Sequence, residues 1–378
     1  MLMAQYGARV YKIEGVDHGD MGRTWGPPFQ GGEASYFLGL NTGKQAAAVN
    51  LKDPRGLDLC LRMAARADVL IENMRPGAMQ RLGLGYDAVK ASNPRLVYCS
   101  ISGYGQNGPS REEPAMDLIM QASCGLIGVT GSPGGGLARC GHSVADVTAG
   151  MFALVGILMA LRARDATGEG QFVDVSMLDG MISAMASNFA HFLGSGIVPE
   201  PMGTAFATIV PYACFPTADR DITIAVASEK LWSAFCAAVG HPGWAADPRF
   251  ESNPARVANR AVLEPMIADT LRARPANEWL AVFRAAGVPC TPVRTLDEVA
   301  ADPQAAARGM FPVVDHAGAG AIRVTGTPVK FEKTPGAVDS AAPLHGQHTA
   351  ETMRDLLGLA PEEVEALMRA GAIAGPRV

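Results

Sequence analysis

Apolar positions crowd one stretch of this chain. From Val147 to Leu161 nearly every residue is apolar or small, and a helix apolar on all sides predicts burial. Arg162 and Arg164 stand where cations suit a helix C-terminus, and Thr167-Gly168-Glu169-Gly170 ends the run. Residues 171–175, Gln-Phe-Val-Asp-Val, then alternate as a strand does. One carboxylate, Asp146, falls in the first turn of the apolar helix. Two readings of it stand at this point. It is an acid favoured by the helix dipole, or a carboxylate held at a buried, amide-rich helix start and poised to react.

Upstream, strand and helix patterns alternate. Residues 9–14, 46–51, 68–73 and 96–101 read as strands. Asp53-Pro54 opens a helix with Leu57 and Leu61 on one face. Gly-rich loops follow the strand ends, so the fold class is α/β, with a large Rossmann-like parallel-sheet domain. Ligands of such sheets bind at the carboxyl ends of strands, which brings forward Asn73, Arg75 and Gly105. Residues 1–6 read as one helical turn stopped by Gly7, the end of a longer helix whose beginning is missing.

Past Met177 a helix runs to about 193, and 194–204 is an irregular linker. Hairpin-like strands at 218–226 and helices near 229–239, 255–273 and 277–286 make a small α+β domain. Residues 291–348 are loop-rich and carry six prolines, and Pro361 opens a last helix. The expected organisation is a large domain over 1–193, a linker over 194–204 and a small domain over 205–290. A return linker over 291–348 then leads to a C-terminal helix region, 349–378, packing on the large domain.

Composition narrows the function. The chain has 378 residues, 48% of them hydrophobic and 18% charged, and a formal net charge of -5 without any Lys/Arg tract, which excludes a nucleic-acid partner. The apolar run at 147–161 falls short of the roughly 18 residues that span a bilayer, so no membrane partner is expected. Seven scattered cysteines without a Cys-x-x-Cys pair predict reduced thiols and a cytoplasmic location. His345-x-x-His348 lacks further ligands at metal spacing and reads as a polar loop, so no metal is expected. The glycine-rich run 131–136 lacks the Gly-Lys-Ser/Thr of a phosphate loop. His142, four residues before Asp146, is a general base or orienting partner for it, or a solvated loop histidine. Asp117 reads as a helix-start acid and Arg81 as a surface cation.

Taken in order, these stretches resemble the class III CoA-transferases of the CaiB/BaiF type. That family includes formyl-CoA transferase, crotonobetainyl-CoA transferases and α-methylacyl-CoA racemase. The resemblance is carried by residues 7–14 (Gly-Ala-Arg-Val-Tyr-Lys-Ile-Glu), 19–23 (Gly-Asp-Met-Gly-Arg) and 68–77 (Asp-Val-Leu-Ile-Glu-Asn-Met-Arg-Pro-Gly). It continues through 103–105, 117–121, 141–150, 167–171, 287–292 and 344–349, essentially the whole chain. It implies that Asp146, in Ala-Asp-x-x-x-Gly, attacks an acyl-CoA thioester and passes through a mixed anhydride and an aspartyl-CoA thioester. It implies that Asn73, Arg81 and Val49 line the CoA site and that a basic CoA contact is lost or replaced at Gly15, and Arg75 and Gly105, at the strand ends, join them as CoA-binding candidates.

CoA then serves as substrate, with no permanently bound cofactor. Racemases of the family place a His before the acid matching Asp117, and here that residue is Met116, which favours transfer. The alternatives are a 2-methylacyl-CoA racemase or a non-catalytic CoA-binding paralogue. Donor and acceptor are expected to be carboxylic or dicarboxylic acids, succinyl-CoA among the donors. Asp117, Arg139 and His142 are candidate substrate contacts, and Arg139 and Arg23 could pair with a second carboxylate. The resemblance also implies an interlocked homodimer of ring-shaped monomers.

Overall fold

The computed structural model describes residues 1–376. The backbone divides into two compact units. One comprises residues 1–120, 143–184 and 300–378, and the other residues 121–142 and 185–299.

The first unit holds the strand–helix alternation. In chain order its skeleton is β1 (Val10–Glu14), β2 (Lys44–Val49), α1 (Pro54–Ala64), β3 (Val69–Glu72) and β4 (Val97–Ser102). Next come α2 (Asp117–Ser123), which crosses into the other unit, then α3 (Val144–Thr167) and β5 (Phe172–Ser176). Asp53 starts α1 by accepting the Arg55 N–H, and Pro54 stands at the first helical position, where a missing N–H costs nothing. β1 and β2 are parallel, and β2 pairs antiparallel on its other side with Ile373–Ala374. β3, β4 and β5 form a second, wholly parallel sheet. The expected parallel strands are therefore present, grouped as two three-stranded sheets.

α3 lies on the second sheet through a small-residue stripe. Ala145, Ala149, Ala153, Ile157 and Ala160 recur every three or four residues and are buried, and Ala153, Ile157 and Ala160 pack with Val97, Cys99 and Val175. The opposite face is apolar and open: Val147 is 52% exposed, Leu158 54% and Met159 68%. This corrects the expectation of an all-round buried helix, because the small stripe alone meets the sheet. It also corrects the helix length. α3 has 24 residues, and an 18-residue window reaches a mean hydropathy of 2.1, so by length and composition it is able to cross a membrane. The sequence pattern understated it by starting three residues late and stopping at Arg162.

The stretch 291–348 is more ordered than its prolines suggest. It carries the hairpin Val313–His316 with Gly320–Arg323, whose alternating Val314 and Ile322 pack with Phe37 and Leu38 in the first unit. Met353, Leu357 and Val364, from the helices Thr349–Leu357 and Pro361–Arg369, pack against Leu59, Cys60 and Met63 of α1. His345 is buried and its ring meets the Gly15 carbonyl at 2.8 Å. His348 precedes the helix and accepts the Ala46 N–H at 3.2 Å. Both histidines are tied to the first sheet and its loop.

The second unit is built on the antiparallel strands Tyr212–Pro216, Asp221–Ala225 and Cys290–Pro292. Its core stacks Trp232 on Phe235, Phe235 on Phe283 and Phe283 on Trp279. The helix expected at 255–273 is two helices, Asn253–Ala258 and Arg260–Leu271, parted at Asn259. Arg256 is fully buried against Trp232 and answered by Glu229 at 2.8 Å.

Candidate active site

The long helix α3 begins without help from its own cap. Ser143 occupies the capping position, and its side chain makes no capping bond. The acceptor comes instead from Asp117, the first residue of α2. Asp117 Oδ1 accepts the Ala145 N–H at 2.9 Å and the Asp146 N–H at 3.4 Å. A helix start leaves its first amides without partners, and an anion there gains from the dipole as well as from the bonds. The structure thus brings two carboxylates to one helix end.

Asp146 reaches solvent, as a nucleophile must to meet a substrate. The protein around it still pushes its carboxyl above the ordinary carboxylate value, first by desolvation and then by the like charge of Asp117. Tyr36, on the helix Ser35–Leu40, senses the same pair. Burial raises its phenol, and the charges of Asp146, Asp117 and Asp20 add to the shift. Its ring lies 5.4 Å from that of Trp25. Tyr36 carried no signal in the sequence, because no motif marks the short helix that bears it.

Arg139 and His142 belong to the other unit, and both are exposed. Arg139 Nη1 donates to its neighbour's carbonyl at Cys140. In the same unit the buried Gln121 accepts the Cys140 N–H at 2.9 Å and donates to the His142 carbonyl at 3.5 Å. Gln121 lies one turn after Asp117, and that four-residue spacing was the available clue to a shared helix face.

Arg23 is not free to meet a substrate, which corrects its assignment as a second carboxylate partner. Its guanidinium is buried and bonds Glu14 twice, at 2.7 and 2.9 Å, Glu33 at 2.8 Å and the Pro343 carbonyl at 3.1 Å. It also lies 3.9 Å from the centroid of the Phe37 ring.

The residues tied by resemblance to CoA sit around strand ends. Asn73, just past β3, donates to the Ile101 carbonyl at 2.8 Å, and it is exposed together with Arg75 and Arg81. Gly105 takes a φ of +87° after β4, a conformation that favours glycine, and donates to Ser102 Oγ at 3.1 Å. Val49 is buried, faces the core with Leu59 and Ile373, and lies opposite Ile373 in the sheet. A cavity of about 480 Å³ opens beyond β1 and β2, lined by Val16, Asp17, Asn50, Gly371 and Ile373 among others.

Comparison with known proteins converges on one family. The family model described as CoA-transferase family III matches residues 1–349. The chain is 32% identical over 373 residues to a succinyl-CoA:glutarate CoA-transferase of Homo sapiens, covering 99% of this chain and 85% of that one. It is 39% identical over 331 residues to an acetyl-CoA:oxalate CoA-transferase of Acetobacter aceti, covering 87% and 84%. Among solved structures, a CAIB/BAIF family protein from Brucella suis superposes with a TM-score of 0.83 at 35% identity, covering 94% of this chain and 93% of that one.

Proposed function

Since the chain belongs to CoA-transferase family III, and is thus a transferase acting on CoA thioesters, we propose that it moves CoA from succinyl-CoA to a second dicarboxylic acid, with Asp146 as the covalent nucleophile. The observation that carries this reading is the solvent-reaching carboxylate of Asp146 at the start of α3, made more basic by burial and by Asp117. A carboxylate is a weak nucleophile, and covalent catalysis divides one hard displacement into easier ones.

The steps balance without any net proton. An Asp146 oxygen attacks the thioester carbonyl, the C–S bond breaks, and CoA thiolate leaves a mixed anhydride. Thiolate then attacks Asp146 Cγ, the C–O bond breaks, and the donor acid departs as a carboxylate. The acceptor carboxylate attacks the resulting aspartyl-CoA thioester and displaces thiolate. Attack of thiolate on the acceptor's acyl carbon forms the new thioester and frees Asp146. Desolvation and oriented amides serve the oxyanions of these steps.

The large α/β region is the CoA-binding part in this reading. Asn73, Arg75, Arg81, Val49 and Gly105 attend the CoA, and the cavity beyond β1 and β2 receives one end of it. Arg139 and His142 attend the acids. Support for a dicarboxylic acceptor comes from the relatives, whose names specify glutarate and oxalate. Met116 offers no base for α-proton transfer, which weighs against racemisation. The assembly is a homodimer, interlocked as the resemblance implies, and the open apolar face of α3 supports a second copy as its cover.

The test is to incubate the protein with succinyl-CoA and glutarate or oxalate and follow acyl-CoA products by mass. New acyl-CoA, together with CoA mass on Asp146 that hydroxylamine removes, is the expected result. Product without label on Asp146 overturns the mechanism.

A further inference from the structure

Asp117 stands in a relation to Asp146 that substrate contact does not explain. It opens α2, yet its Oδ1 is spent on the backbone of α3, at 2.9 Å from the Ala145 nitrogen and 3.4 Å from that of Asp146. The residue that should cap α3 by position, Ser143, makes no side-chain cap bond. The turn carrying Asp146 is therefore fixed from another helix.

We infer that Asp117 is a positioning residue for the transfer reaction, its carboxylate fixing the helix turn that presents Asp146 and setting a like charge beside it. This rests on Asp146 being the nucleophile. Two effects are separable. The hydrogen bonds hold the direction in which the Asp146 side chain leaves the helix, and reactive groups misplaced by about 1 Å lose about 100-fold in rate. The charge disfavours a second anion, so it keeps the attacking carboxylate basic, and burial acts in the same direction. The group sensing this pair is Tyr36, from the helix Ser35–Leu40, which also feels the charge of Asp20, itself bound to Lys12.

Asp117→Asn keeps an oxygen acceptor and removes the charge, while Asp117→Ala removes both. Steady-state kinetics over pH on the full chain, with mass detection of CoA on residue 146, distinguish them. Asp117→Ala is expected to lose about 100-fold in kcat with KM for both substrates nearly unchanged. Asp117→Asn is expected to recover most of that kcat, with the acid limb of its profile moved to lower pH. If Asp117→Ala fails to fold, the asparagine variant carries the test through its acid limb. An unmoved limb in Asp117→Asn, or a loss confined to KM for the acid, overturns the inference. Wild-type protein without CoA on Asp146 removes the nucleophile reading and this inference with it. Wild-type labelling with both variants at full rate removes this inference alone.

Discussion

The Asp146 amide points at the carboxylate of Asp117, 3.4 Å away, so the two acids share one helix end. Charge of one sign gathered at a half-desolvated site costs stability and raises proton affinity together. Stability and reactivity are therefore opposed at Asp146, and one substitution reads both.

Asp146→Asn is expected to lower kcat by about 10⁴-fold or more, the scale on which a covalent nucleophile acts. It is also expected to raise Tm at neutral pH. The folded-state pKa of Asp146 lies above its unfolded value, so the native chain binds more protons across that window. Stability then falls as pH rises through the window, and the whole penalty is present above it. Melting curves should show the asparagine variant ahead at pH 7 to 8 and level with wild type near about pH 3, below the ordinary carboxylate range.

Arg23 tests a different kind of charge. Its side chain is 7% exposed and that of Glu14 1%, and the pair is bonded twice. Removing one partner strands the other, a loss of about 3–5 kcal/mol. Arg23→Met is expected to lower the denaturation midpoint accordingly. Arg23→Lys should recover little, because an ammonium does not match a planar fork meeting two carboxylates and stacking on Phe37.

Gly170 precedes β5 where the backbone runs tight against Leu96. A Cβ there would stand 2.0 Å from the Leu96 carbonyl oxygen, a distance that only backbone movement relieves. Gly170→Ala is expected to destabilise the β4–β5 pairing, which begins with the Tyr98 N–H donating to the Gln171 carbonyl. Amide hydrogen exchange at Tyr98, whose N–H faces β5, should accelerate relative to wild type.

The open side of α3 makes the assembly testable. Val155→Glu with Met159→Glu places two charges on a face the sheet does not cover. Light scattering is expected to show the wild type as a dimer at nanomolar concentration and the variant as a monomer. A monomeric wild type defeats the assembly reading.

Period and punctuation made the parallel strands legible, because strands of this type are short apolar runs closed by Gly, Pro or Asn. The nucleophile candidate was legible as an acid in the first turn of a long apolar helix. Its partner was not. Asp117 lies 29 residues earlier, and only folding sets its carboxylate under the Asp146 amide. Arg23 looked free for the same reason, since Glu14 and Glu33 flank it at distances that no helix or strand period connects. The outer face of α3 misled in the opposite way. Apolar character announces burial, and says nothing about whether the cover comes from the same chain.

One pairing reaches across nearly the whole chain. Ile373 lies opposite Val49, so the third strand of the first sheet emerges from the ribosome more than three hundred residues after β2. At about 5–20 residues per second that interval is about 15–65 s. For most of it β2 is paired on one side only, until His348 and Thr349 bond Ala46 and Ala48 and the last strand follows, and an open edge can recruit any extended segment nearby. The edge at Ala48 and Val49 is therefore completed only once Ile373 and Ala374 exist to pair with it.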